Sequence, residues 1–187
     1  MNLSVTLIAS CIFFLSESYL IMKKRSRRKQ TKTQKDQRSL LLFWITIPFT
    51  LSLGFVLAYH GSWSPSQQGI ATLGLLIFAA GMGIRWLAIL QLKKEFTVDV
   101  AIGSGHQLKT DGIYTRLRHP SYLGLWLCCT GLSIAMNSAY SFLVIAIPLL
   151  LAIHYRIRVE EAVLSDEFGE KFADYKSRSA RMFPGIY

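Results

Sequence analysis

Charge is scarce in this chain. Of its 187 residues only 17% are charged, and 51% are hydrophobic, whereas ordinary soluble domains are about 25% charged. Acidic residues are scarcer still, 11 against 21 lysines and arginines, for a net charge of +10. On a soluble chain that excess would point to nucleic acid. Here the basic residues fall in three segments separated by apolar runs of membrane length, which excludes a soluble nucleic-acid binder. Cysteine is equally sparse. Cys11, Cys128 and Cys129 all lie in apolar stretches. None has metal-ligand spacing, so there is neither a disulfide framework nor a Cys/His metal site, and the three read as small apolar residues. No basic residue precedes the first apolar stretch and no small-residue cleavage motif follows it, so it reads as a retained helix.

What is abundant is long apolar runs. Residues 3–22 are enough to cross a ~30 Å hydrocarbon core. Residues 40–59 form a second span, with Trp44 and Tyr59 near its ends and Pro48 within it. Residues 70–92 form a third, rich in small residues at Gly74, Ala79, Ala80, Gly81 and Gly83. Small residues let helix backbones approach closely in lipid, which predicts a central position for this helix. Residues 122–155 are apolar but interrupted at Asn137 and Ser138, which predicts a hairpin of two shorter spans. Pro120 can open the first of these at its N-terminal turn. Residues 156–175 then predict a separate charged amphipathic helix, with Ala162, Phe168, Phe172 and Tyr175 along one face.

Two charged residues fall inside the apolar runs. Glu17 is either a functional acid or faces a neighbouring helix or the interface. Arg85, costly if left unpaired in lipid, either snorkels inward or faces a functional site. The remaining basic residues are patterned. Residues 23–38 carry nine lysines and arginines, residues 93–120 five and residues 156–187 six. The connections around 60–69 and 137–141 carry none. The positive-inside rule therefore places the three basic segments in the cytoplasm, with residues 23–38 against anionic lipid headgroups. The expected fold is all-α: one polytopic membrane domain over residues 1–187, with about five transmembrane helices and a C-terminal cytoplasmic amphipathic helix. Its expected partner is the bilayer, with no nucleic acid.

The densest chemistry lies in Gly112-Ile113-Tyr114, then Arg118-His119-Pro120-Ser121-Tyr122-Leu123-Gly124. It continues after the hairpin in Arg156-Ile157-Arg158-Val159-Glu160-Glu161 and in Phe168-Gly169 through Phe172 to Tyr175. These motifs, in this order, resemble the isoprenylcysteine carboxyl methyltransferase family over about residues 90–187. The resemblance implies a membrane-embedded, S-adenosylmethionine-dependent methyltransferase that O-methylates the carboxylate of a lipidated, isoprenylcysteine-like substrate at the cytoplasmic face. It implies cofactor contacts at His106, Gln107, Leu108, Lys109, Tyr114, His119, Pro120, Ser121, Tyr122 and Glu160. It makes Arg156 the substrate-side arginine and Arg156 and Glu160 the catalytic pair. Residues 106–109 differ in detail from the family's usual residues there, which points to backbone contacts.

The residue types suit the cofactor. Aromatic faces such as those of Tyr114 and Tyr122 attract a sulfonium and stack on adenine. A carboxylate such as Glu160 pairs with an ammonium or ribose hydroxyls. Spacing alone leaves other readings open. Arg156 and Glu160, four apart, could form a plain helical ion pair. His119 could cap a helix, and Tyr175 and Arg178 could lie on a solvated face. An amine acceptor would also need a base, for which Glu161 or His119 is available. A noncatalytic lipid-binding scaffold is the alternative from outside enzymology.

Overall fold

The computed structural model describes residues 3–24, 34–60, 68–92 and 108–185. Within them the chain is all-α. Helix α1 covers Leu3–Lys24, α2 Gln34–His60 and α3 Gln68–Leu92. A 3₁₀ turn at Gly112–Thr115 precedes α4 (Pro120–Ala135), α5 (Ala139–Phe168) and α6 (Glu170–Arg178). Four helices, α1, α2, α3 and α5, are long and apolar enough to cross a membrane, and α4 is a shorter apolar helix. Their outward faces carry large side chains in rows, such as Ile8, Ile12, Leu15 and Met22 on α1 and Leu143, Ile147 and Leu151 on α5. Such a surface would aggregate in water; it suits a multi-pass membrane protein.

The hairpin breaks where the sequence predicts, but its arms are unequal. Asn137 takes a positive φ of 55°, and Ser138 caps α5 by accepting from the Ser141 amide. The first arm, α4, has 16 residues. The second, α5, has 30, about 45 Å at 1.5 Å per residue. It runs without interruption through Arg156. The expected separate helix over residues 156–175 is therefore corrected: its first half is the end of α5, and the break falls at Gly169, whose φ is +52°. The helix outlasts its apolar run, because onset of charge does not break backbone hydrogen bonding. The break also resets the buried face. Phe172 and Tyr175 are buried on α6, whereas Ala162 is exposed. Helix α2 likewise starts at Gln34, six residues before its apolar run.

Helices α3 and α4 lie backbone to backbone. A Cβ on Gly74 would sit 2.3 Å from the Ala135 amide nitrogen, and one on Gly81 2.6 Å from that of Cys128. From the opposite side, a Cβ on Gly131 would meet the Phe78 nitrogen at 2.4 Å and one on Gly124 the Arg85 nitrogen at 2.5 Å. Two glycine pairs, each seven residues apart, thus mesh as small residues do in lipid. Only part of the predicted stripe serves this contact: Ala79, Ala80 and Gly83 face outward. Helix α2 packs along α5, where the Ser141 hydroxyl donates to the Gly54 carbonyl at 2.7 Å. Helix α1 touches α3 and α4. The core between them gathers Phe13, Leu51, Leu125, Leu132, Ile145 and Leu149. Hydroxyls within the helices donate to carbonyls one turn back, as Ser10 does to Thr6 and Thr130 to Trp126, so they are not left unsatisfied in apolar surroundings.

Candidate active site

Pro120 starts α4, since its fixed φ and missing N–H suit the first helical position. His119 is the N-cap residue, with φ −126° and ψ 54° and no side-chain cap hydrogen bond. Its carbonyl instead accepts from the amides of Tyr122 and Leu123, both at 3.2 Å. The imidazole is free to turn toward α5, which sets aside the reading of His119 as a simple cap. It is buried, with Nε2 3.3 Å from Glu161 Oε1 and Nδ1 4.0 Å from Glu160 Oε1.

Tyr122, three residues on, lies on the same end of α4, its ring centroid 5.8 Å from that of His119. Its hydroxyl donates to Glu160 Oε2 at 3.0 Å and accepts from Arg156 Nε at 3.4 Å. The phenol therefore stands between the two charged residues that share one face of α5. Arg156 Nη1 also donates to Ser39 Oγ of α2 at 2.7 Å. Arg156 is 2% exposed, whereas the Glu160 side chain is 30% exposed. Arg156 is thus engaged by α2 and α4, beyond what a plain helical ion pair with Glu160 would require.

Glu161 points the other way. It accepts from Arg118 Nε at 2.9 Å and Arg181 Nε at 3.0 Å, besides facing His119. Arg118 also reaches the Ser179 carbonyl. A parallel bridge joins Leu117 to Ala180, with Arg118 N to Ala180 O at 2.8 Å and His119 N to Arg181 O at 2.9 Å. The chain after α6 is in this way strapped beneath the His119 turn.

Tyr114 in the 3₁₀ turn is buried, and its hydroxyl donates to the Ala88 carbonyl at 3.2 Å. Burial, and next the nearby Glu160 charge, raise its pKa, so it stays a donor. Tyr175 donates to the Tyr114 carbonyl at 2.5 Å. Burial pushes its pKa up to about 12 against the opposing influence of Arg118 and Arg178. The solvated-face reading of Tyr175 therefore gives way to one in which it braces the turn, while Arg178 remains exposed.

The structure brings His119, Pro120, Ser121, Tyr122, Arg156 and Glu160 together, while Tyr175 ties the Tyr114 carbonyl to that of Leu117, two residues before His119. Leu108 is half-buried and Lys109 pairs with Asp111 at 2.7 Å; no described hydrogen bond joins either to the Glu160 group. His106 and Gln107 lie outside the described residues. Sequence reasoning did not single out Ser39 or Arg181, and it quoted Arg118 within the motif without giving it a role. Only Arg118, inside the Arg-His-Pro run, carried a usable signal.

A family model described as phospholipid methyltransferase matches residues 70–171, more than half of the chain and inclusive of His119–Tyr122 and Arg156–Glu161. The protein-S-isoprenylcysteine O-methyltransferase of Schizosaccharomyces pombe is 32% identical over 117 residues, 62% of this chain and 50% of that protein. The corresponding enzyme B of Arabidopsis thaliana is 29% identical over 111 residues, 58% of this chain and 56% of that one. The chain thus matches about half the length of these two relatives. A probable protein-S-isoprenylcysteine O-methyltransferase of Oryza sativa subsp. indica is 27% identical over 186 residues, covering 95% of this chain and 93% of the relative. Among solved structures, a eukaryotic intramembrane Ras methyltransferase, isoprenylcysteine carboxyl methyltransferase, superimposes with a TM-score of 0.59 at 23% identity, covering 84% of this chain and 55% of that one. That likeness is one of fold. By the match across the hairpin and both of its motif-bearing ends, the chain belongs to the phospholipid methyltransferase family.

Proposed function

We propose that this protein is an S-adenosylmethionine-dependent methyltransferase of a membrane lipid substrate, and that it O-methylates an isoprenylcysteine-like carboxylate. The observation that carries the reading is the meeting of the His119–Tyr122 turn with Arg156 and Glu160 around one phenol hydroxyl. The residues fit the cofactor. Glu160 is a carboxylate still open enough to accept from an ammonium or a ribose hydroxyl. His119 and Tyr122 present aromatic surface to a sulfonium or adenine. When bound, S-adenosylmethionine supplies the electrophilic methyl group.

The chain's own part is alignment. A carboxylate acceptor, with a pKa near 4, is ionised at neutral pH and needs no base. Arg156 supplies a desolvated cation, held by Ser39 and Tyr122, that draws the acceptor carboxylate toward Glu160's neighbourhood. Catalysis then rests on orientation and exclusion of water. The lipid portion would enter sideways between helices and the cofactor from the cytoplasm. In this topology α4 is a fifth, shorter span, and the basic segments lie inside.

The second reading is methylation of a lipid amine. It is favoured by His119 Nε2 lying against Glu161, since a carboxylate-oriented imidazole is the base that an ammonium acceptor requires. Transfer of labelled methyl from the cofactor into lipid and prenyl-cysteine extracts decides between them. The carboxyl reading predicts a product that releases methanol in base; a base-stable product would replace it with the amine reading. No transfer to any lipid would reject both.

A further inference from the structure

Two more charged side chains lie buried in the apolar body, apart from the Arg156–Glu160 group. Glu17 of α1 and Arg85 of α3 are each 7% exposed. They pair through both ends, Arg85 Nε to Glu17 Oε1 and Nη2 to Oε2, each at 2.6 Å. The third arm of the guanidinium is aimed elsewhere: Nη1 donates to the Ser121 carbonyl at 3.0 Å. Ser121 is the second residue of α4, between Pro120 and Tyr122. A carbonyl oxygen can accept twice, so this bond adds to the helix's own pattern.

The bond is not needed to hold α3 to α4. Their backbones already touch at Gly81, Gly124 and Gly131, and Arg85 itself stands against Gly124 there. What the guanidinium adds is a fixed rotation of the first turn of α4, the turn that carries His119 and Tyr122. Glu17 makes this possible by neutralising the arginine in apolar surroundings and by fixing its plane through two parallel bonds. We propose that Glu17 and Arg85 are positioning residues. Arg85, oriented by Glu17, holds the Ser121 carbonyl and so sets Tyr122 and His119 toward Glu160 for the methyl donor. This rests on the donor site proposed above. It extends that site to α1, which lies outside the matched residues 70–171.

The test uses the full chain in lipid nanodiscs, with S-adenosylhomocysteine as the probe and methyl transfer as the second readout. The swap Glu17→Arg with Arg85→Glu keeps the pair but turns a carboxylate toward the Ser121 carbonyl, which cannot accept from it. Arg85→Lys keeps the charge beside Glu17 but cannot span Glu17 and the carbonyl together. Each is expected to weaken probe affinity and raise the donor KM about tenfold, the size of one lost hydrogen bond to a charged group, with the acceptor KM unchanged. A purely structural pair would only lower the active fraction, reducing kcat and leaving both KM values alone, and that result overturns the proposal. So does a swap that binds the probe as the parent does. If the swap fails to assemble, Arg85→Lys decides by the same KM criterion. Failure of the parent itself to bind the probe is a different result and rejects the donor site.

Discussion

At the residue scale, the site depends on side chains that hold other side chains. Ser39, fully buried, accepts from Arg156 at 2.7 Å. Ser39→Ala removes a hydrogen bond to a charged group, worth about 1.5–3 kcal/mol. It should raise the acceptor KM about tenfold or more while donor affinity stays near the parent's. Equal loss of both affinities in a titration would show that Arg156 does not serve the acceptor. Tyr175 gives a pH signature. Its folded pKa of about 12 lies above the ordinary value near 10. The folded state therefore holds the phenol proton more tightly than the unfolded state. The stabilising contribution is complete below about pH 10 and fades as pH rises toward 12. Tyr175→Phe should lower thermal stability at pH 8, by about 1 kcal/mol, and flatten the parent's decline above pH 10. An unchanged alkaline decline in the variant would assign that decline to another group.

At the scale of elements, the α3–α4 seam is the feature most open to test. A Cβ on Gly81 or Gly131 would fall within 3 Å of backbone atoms of the facing helix, and backbone cannot step aside as a flexible side chain can. Gly81→Ala and Gly131→Ala should each destabilise by about 1–3 kcal/mol. Gly83, with nothing within 4 Å, should tolerate alanine with no loss, since alanine is the better helix former by about 1 kcal/mol. Melting of the three variants in one detergent checks this; equal midpoints would mean the seam is not tightly packed. The sequence made this seam partly visible, because a span rich in small residues marks a close approach. It could not tell Gly81 from Gly83, since the rotation of α3 is set by its neighbours. The continuous helix through Arg156 was invisible for a related reason. Hydropathy records where lipid ends, and a helix keeps its hydrogen bonds in either solvent.

At the scale of the whole molecule, the apolar runs and the clustering of lysine and arginine between them were legible without a structure. So were the His119–Tyr122 and Arg156–Glu160 motifs and the hairpin that joins them. The long-range pairs were not. Glu17 and Arg85 are 68 residues apart, Ser39 and Arg156 are 117 apart, and Arg181 reaches back 20 residues to Glu161. A single sequence says that a buried charge needs a partner, and so offered a neighbouring helix as one reading of Glu17, beside a functional acid and the interface. Arg85 met neither expected fate as simply as stated. It turns inward, pairs with Glu17 and touches the site through a backbone carbonyl. Helices α1, α2 and α3, which bear no motif, thus brace the two that do: Glu17 and Arg85 reach Ser121 of α4, and Ser39 holds Arg156 of α5.

On the proposed function, the first turn of α4 and the charged end of α5 together enclose one methyl donor. Calorimetric titration of the purified chain with S-adenosylmethionine is the direct test. Saturable binding at one site per chain is expected, weakened about tenfold or more by Glu160→Gln and by His119→Ala, each variant remaining folded. A folded parent that binds no cofactor, or two variants that bind it as the parent does, would overturn the proposed site.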